Sequence, residues 1–380
     1  MSEENTETKL SAVRAEMKKQ GVDGFIIPRT DEWQNEYVPE ACERLRWVSG
    51  FTGSAGLAVV TKSDAVVVSD SRYEIQIEEQ VDKAQFSAPR IISKDKGYAG
   101  HVADWLSESG GACKVLGYDP KLHTPNEIKR WGEALSKVGV TLKAVRSNPV
   151  DLAWHDRPAL PKNAVSIFPE KFAGKSAADK RKEIADDIRA AGFDALLITE
   201  TDALAWLLNI RGSDVAQTPI ALAYAVLHAD GELSLCVDPD KVPQDVLDGL
   251  GADVEVIDSA DMNMALTRIM RDVLFEETAP KIAADFNTVP AFFHTWCDVN
   301  GYGIDHMDNP IVAARARKNA AEIESLTKAH VADGVALVKM LRWADETLPS
   351  SDEDELSVEK KLQSFRAQNP AYREDSFSTI

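Results

Sequence analysis

The 380-residue sequence has four cysteines, Cys42, Cys113, Cys236 and Cys297, far apart and in no CxxC or Cys/His arrangement. Their scatter gives no sign of a structural zinc site, and buried thiols are the expectation. No run approaches the roughly 18 apolar residues needed to span a bilayer, and the opening MSEENTETKL lacks a basic stretch followed by an apolar one. A cytoplasmic chain with no membrane partner is therefore expected. Positive charge is also scarce: 43 basic against 62 acidic residues leave a net charge of −19. That balance repels a phosphate backbone, so nucleic acid is not an expected partner. There is no HExxH, no Gly-rich phosphate loop and no GxSxG elbow. The seven histidines stand singly, which is the pattern of surface or packing residues.

What is present is the composition of a globular protein, 44% hydrophobic and 28% charged. The length exceeds that at which single cores stop growing, so two or three domains are expected. Leu10, Val13 and Met17 recur at helical spacing, Gly21 suits a left-handed cap, and Gly24-Phe-Ile-Ile-Pro28 reads as a buried strand. The same order returns later. Gly21, Asp23 and Asp31 recur as Gly192, Asp194 and Asp202, at a constant offset of 171 residues. A second block, Leu45-Arg-Trp47 through Gly53-Ser54, recurs as Leu204-Ala-Trp206 through Gly212-Ser213 at an offset of 159, so the first copy carries twelve extra residues. Strand-like runs follow each Gly-Ser, 56–60 and 65–68 in one copy and 220–227 and 233–237 in the other, joined by hairpin turns at 61–64 and 228–231. Each copy thus predicts an α/β unit with a mixed sheet and flanking helices.

Proline concentrates between the copies, from Asn148-Pro149 to Pro161, and a second connection falls near Asp308-Asn-Pro310. From Ala314 to Trp343 there is one long helical pattern whose stripe includes Ile323, Leu326, Val331, Val335, Val338 and Leu341, and another helix runs from about Ser357 to Gln368. Two helices cannot bury such stripes alone, so a sizeable exposed apolar patch is expected over 312–368. The acidic run at 350–356 reads as a solvated loop or a helix start rather than a metal site. The last residues, Tyr372 to Ile380, read as the entry to a strand.

The turns Gly53-Ser54-Ala-Gly56 and Arg211-Gly212-Ser213-Asp214 resemble an anion nest or a nucleophile turn. Their presence in both copies favours a shared structural turn. Asp31-Glu32 and Asp70-Ser-Arg72-Tyr73 are the other polar clusters at strand ends. On residue chemistry alone, Arg72 either reaches into a cleft or pairs with an acidic neighbour.

The segments Thr30-Asp-Glu-Trp-Gln-Asn-Glu-Tyr37, Arg46-Trp-Val-Ser-Gly-Phe-Thr-Gly-Ser-Ala-Gly56, Asp70-Ser-Arg-Tyr73, Asp151-Leu-Ala-Trp-His-Asp-Arg-Pro158, Leu208-Asn-Ile-Arg-Gly-Ser-Asp214, Lys318-Asn-Ala-Ala-Glu-Ile-Glu324, Ala329-His330 and Ser376-Phe-Ser-Thr-Ile380 together resemble the three-domain Xaa-Pro aminopeptidases, or aminopeptidase P. The resemblance implies two creatinase-like N-terminal α/β domains, 8–150 and 151–310, with 311–380 opening an incomplete pita-bread catalytic domain. It implies a hydrolase, a metallopeptidase that removes the N-terminal residue before a penultimate proline and forms a homodimer. The implied cofactor is a pair of divalent metals, commonly manganese, held by Asp, Asp, His, Glu and Glu at positions beyond Ile380. This chain is accordingly expected to bind no metal, to contain no catalytic residue and to be inactive alone. One functional residue carries over: the arginine of an Asp-Gly-Arg-Tyr motif aligns with Arg72, implying a substrate contact, although Ser71 replaces the glycine. The alternative is a noncatalytic scaffold of the same fold, used for dimerisation or peptide binding.

Overall fold

The computed structural model describes residues 5–89, 96–108, 113–273 and 280–377. The opening helix Thr6–Gln20 buries Leu10, Val13 and Met17, as their spacing requires, and Gly21 closes it in the left-handed conformation (φ 66°). Five strands follow along the chain: β1 (Gly24–Pro28), β2 (Leu57–Thr61), β3 (Ala65–Val68), β4 (Val115–Tyr118) and β5 (Thr141–Ala144). They form a mixed sheet of order β3-β2-β1-β4-β5, antiparallel on the β2/β3 side and parallel on the β4/β5 side. Phe25 and Ile27 enter one core, with Leu10, Val13, Phe51 and Val150. Ile26 enters the other, with Val59, Val66, Val102 and Trp131. Burial on both faces explains why these strands are continuously apolar instead of alternating.

The second half repeats this plan. After a two-stranded pair, β6 (Ser166–Ile167) with β8 (Ile210–Arg211), come β7 (Ala195–Ile198), β9 (Tyr224–His228), β10 (Leu233–Val237), β11 (Val254–Asp258), β12 (Lys281–Ala284) and β13 (Gly303–His306). Their order is β11-β10-β9-β7-β12-β13, so β7, β9, β10, β12 and β13 stand where β1, β2, β3, β4 and β5 stand in the first sheet. The added strand β11 runs parallel to β10, and its counterpart in the first copy has shrunk to one parallel bridge between Val66 and Ser87. Paired residues keep paired roles. Asp23 Oδ2 accepts the N–H groups of Lys114 and Val115 at 2.9 Å at the entry to β4, and Asp194 Oδ2 accepts that of Lys281 at 2.8 Å at the entry to β12. Asn148 and Asn309 each cap a proline-led helix, Pro149–Ala153 and Pro310–Ala316, whose Val150 and Ile311 lie in the first and second cores respectively.

Three local expectations need correction. The predicted strand over 220–227 begins only at Tyr224, because Ile220 and Leu222 are tied to the Gly212 turn through Asp214, whose N–H donates to the Ile220 carbonyl and whose Oδ2 accepts the Leu222 N–H. The long helical pattern from Ala314 breaks in two, since Asn319 starts a new helix, Ala320–Thr347, with a reciprocal cap to Glu322. No strand occurs over 372–377, and 378–380 lie outside the described residues.

The acidic run is a helix start: Asp354 caps the helix Glu355–Arg366 by accepting the Ser357 N–H at 2.8 Å. That helix packs on Ala320–Thr347, yet Val331, Val338 and Leu341 remain 65%, 66% and 59% exposed, the patch that the stripe predicts.

Candidate substrate-facing site

β1 and β3 are each antiparallel to β2 and so parallel to each other, and β4 runs parallel to β1. Their carboxyl ends therefore open on one end of the sheet, the usual place for ligands in open α/β sheets. Arg72 stands there, just after β3. Asp70 caps the turn Ser71–Tyr73 and also grips the arginine: Nε donates to Oδ1 at 2.9 Å and Nη2 to Oδ2 at 2.8 Å. Hydrogen bonding to Asp70 raises the guanidinium's pKa above its ordinary value. Of the two alternatives open to Arg72, pairing with an acidic neighbour is the one observed. The side chain stays 66% exposed, and its head lies 5.2 Å from the Tyr73 ring.

Tyr73 joins this turn to the Gly53-Ser54 turn, which the sequence left separate. Its hydroxyl lies 2.6 Å from Ser54 Oγ, and its ring meets Phe51 edge-on at 5.6 Å. A Cβ on Gly53 would overlap the Phe51 ring and come within 2.8 Å of Tyr73 Cδ1. In the second copy, a Cβ on Gly212 would come within 2.7 Å of the Ala221 main-chain nitrogen. Both turns thus need glycine for close packing, the structural reading of the pair.

Arg29, directly after β1, was not singled out by motif. It braces the same corner, with Nη1 donating to the Glu36 carbonyl at 2.6 Å and the Ser54 carbonyl at 3.3 Å. The twelve extra residues supply the rest. Arg44 is fully buried; its Nε and Nη2 donate to Asp151 at 2.7 and 3.0 Å, and Nη2 also donates to Glu32 at 3.0 Å. Burial pulls its pKa down, but the hydrogen bonds to Asp151 and the charge of Glu32 outweigh that and leave it raised. Trp33 crosses to the second unit and stacks on Tyr224 at 5.3 Å, while the Tyr224 hydroxyl donates to the Glu32 carbonyl at 3.0 Å. Tyr224 opens β9 at the carboxyl end of β7, so the two sheets face each other end to end. An aromatic insertion between two repeated blocks was the sequence signal for this contact.

Asp31 anchors the insertion by accepting the N–H groups of Trp33 and Asn35, both at 3.0 Å. Burial pushes its carboxyl up to about 6. A raised carboxyl pKa means that the folded state holds the proton more tightly, so this group's contribution is greatest at acid pH and declines as pH climbs from 4 through 6. Asp31→Asn, which cannot ionise, should therefore gain about 2 kcal/mol relative to wild type between pH 4.5 and pH 8. Urea midpoints of both proteins at the two pH values check this; an unchanged difference contradicts it.

At the carboxyl end of the second sheet, Asp285, His306 and Asp308 bring donor atoms within 4.8 Å of one another, a grouping that the scattered histidines did not suggest. Two of the three are already used. Asp285 Oδ1 accepts the Asn287 N–H at 2.9 Å and Oδ2 the Asn309 N–H at 3.4 Å. Asp119 is used in the same way in the first copy, by Lys121 N–H and Asn148 Nδ2. His306 Nδ1 accepts the Phe286 N–H at 3.2 Å, and Nε2 faces Asp308 at 3.3 Å. These three donors are fewer than the five-ligand, two-metal set that the resemblance implies.

Two family models, both described as the creatinase/prolidase N-terminal domain, match residues 9–147 and 156–322. A probable Xaa-Pro aminopeptidase P of Aspergillus flavus is 32% identical over 380 residues, covering 99% of this chain and 57% of that protein. One of Pyrenophora teres is 30% identical over 392 residues, covering 100% of this chain and 58% of its own length. The chain thus spans little more than half the length of these relatives. The crystal structure of X-prolyl aminopeptidase from Caenorhabditis elegans, described as a cytosolic enzyme with a di-nuclear active site, superposes with a TM-score of 0.88 at 24% identity, covering 99% of this chain and 62% of that one. Among the described residues, no helix is long and apolar enough to cross a membrane. With two copies of the domain in tandem over most of its length, the chain belongs to the creatinase/prolidase family, and along nearly all of its length it is similar to fungal probable Xaa-Pro aminopeptidases P.

Proposed function

We propose that this chain is the N-terminal portion of a metalloaminopeptidase that releases the residue before a penultimate proline, with Arg72 contacting the peptide. The observation that carries the reading is the alignment of 99% of the chain with 57% of an Xaa-Pro aminopeptidase P. In this reading 8–150 and 151–310 are the two creatinase-type domains and 311–380 opens the catalytic one. The working protein is a cytoplasmic homodimer, and its two divalent metals, commonly manganese in the family it resembles, bind outside these residues. The 380-residue chain alone is inactive.

Arg72 suits its role because Asp70 fixes two of its donor nitrogens while the head remains open to solvent. A guanidinium so oriented offers a charged donor to a peptide carbonyl or carboxylate. In a chain extended through the length that the relatives add, Arg72→Gln should raise KM about tenfold to a hundredfold, the worth of one charge-assisted hydrogen bond. Arg72→Lys should recover part of the loss, and a KM unchanged in both variants overturns the role.

The exposed face of the helix Ala320–Thr347 also fits the second reading, a noncatalytic scaffold that associates through this part. A stable oligomer of the 380-residue chain that binds peptide without metal would favour it.

A further inference from the structure

Away from the Arg72 corner, the second unit and the long helix Ala320–Thr347 enclose a cleft of about 480 Å³. Phe168, Phe172, Trp206, Ile220 and Leu326 give it apolar walls, and Arg211 lies among them. The Arg211 guanidinium stands 4.0 Å over the Phe168 ring. Its Nη1 donates to the carbonyls of Ile210 at 2.7 Å and Ala205 at 3.2 Å. Main-chain carbonyls hold it in place but do not neutralise it.

The acids of the cleft are spoken for. Asp202 pairs with Arg315, and Glu322, which accepts the Asn319 N–H at 2.9 Å in the helix cap, is the carboxylate whose charge acts on Lys180. Burial lowers the Arg211 pKa with no acidic neighbour pushing it back. A cation held against apolar walls without a counter-ion is costly unless an anion arrives with its own apolar body. The volume falls in the range of small-ligand pockets.

We propose that this cleft binds the carboxyl end of a short peptide whose last residue is apolar, the Arg211 guanidinium taking the carboxylate and the aromatic walls the side chain. Nothing in this proposal rests on Arg72, which stands in the other copy, or on the chain being part of an aminopeptidase.

The test uses the 380-residue chain with its tryptophans labelled with nitrogen-15, the Trp206 indole signal being assigned through Trp206→Phe. Gly-Gly-Leu should shift that signal saturably, and Gly-Gly-Leu amide should bind at least about tenfold more weakly, as loss of a charge-assisted contact requires. Arg211→Gln should weaken Gly-Gly-Leu by a similar factor. Leu326→Asp, at an exposed helix position where folding is not at stake, should weaken it as well by placing a carboxylate in the cleft. Equal binding of acid and amide, a Trp206 signal that does not move, or an affinity unchanged by Leu326→Asp overturns the proposal.

Discussion

Asp214→Ala is expected to cost about 3–5 kcal/mol of stability, the penalty for stranding a buried charge. Asp214 and Lys241 form an ion pair whose side chains are 0% and 3% exposed. The aspartate also accepts the Leu222 N–H at 2.7 Å and the Asn163 N–H at 3.3 Å, while Lys241 Nζ donates to the Leu222 carbonyl at 3.3 Å. Removing Asp214 therefore leaves Lys241 without its counter-charge and releases the segment leading into β9. Replacing both partners with apolar groups avoids the stranded charge, so Asp214→Ala with Lys241→Met should recover a large part of the loss. Urea unfolding of the two variants checks both statements. A double variant no more stable than Asp214→Ala would show that the lost Leu222 and Asn163 contacts, not the unpaired lysine, set the cost.

Trp33→Ala should cost a comparable amount, about 3–5 kcal/mol as for other large-to-small changes at a buried aromatic, but with a different signature. Trp33 comes from the first copy and is buried in the core of the second, beside Tyr224 and Val289. Other ties remain between the units: Ala291 N–H to the His123 carbonyl at 2.7 Å, Phe292 N–H to the Pro120 carbonyl at 2.8 Å, Asn126 N–H to the Phe286 carbonyl at 3.3 Å, Asn126 Nδ2 to Asn287 Oδ1 at 2.8 Å, and Thr201 Oγ1 to Asn35 Oδ1 at 2.6 Å. These are polar contacts, and without the stacked ring the two sheets should melt separately. Calorimetry should then resolve two transitions where wild type gives one. A single transition shifted to lower temperature would mean that the polar ties alone couple the units.

Local and repeated features were legible in the sequence. Gly21 and Asp23 announce a helix end and a strand junction because their reasons are local, a positive φ and a carboxylate that takes the next strand's first N–H groups; Gly192 and Asp194 repeat both. The hairpins and the exposed stripe follow from spacing alone. What escaped the reading depends on partners distant in the chain. Nothing near Asp214 points to Lys241, and the aromatic insertion beside Glu32 does not name its partner Tyr224, 192 residues away. The break at Asn319 is masked in the sequence by the apolar stripe that runs through it, although Asn-x-x-Glu is a capping signal. At the candidate site, the motif located Arg72, but its grip by Asp70 and the joining of its turn to Gly53-Ser54 through Tyr73 are tertiary facts. In the sequence Arg211 stands out only as part of a repeated turn, since its lack of a counter-ion cannot be read along the chain.

In the proposed function the chemistry lies outside residues 1–380, and one measurement bears on that most directly. Purified 380-residue protein is incubated with an Xaa-Pro-Xaa tripeptide and manganese, and release of the N-terminal residue is followed. No release above the metal-only control is the expected result. Turnover that disappears on chelation and returns with manganese would contradict the assignment and place a working metal centre within residues 1–380.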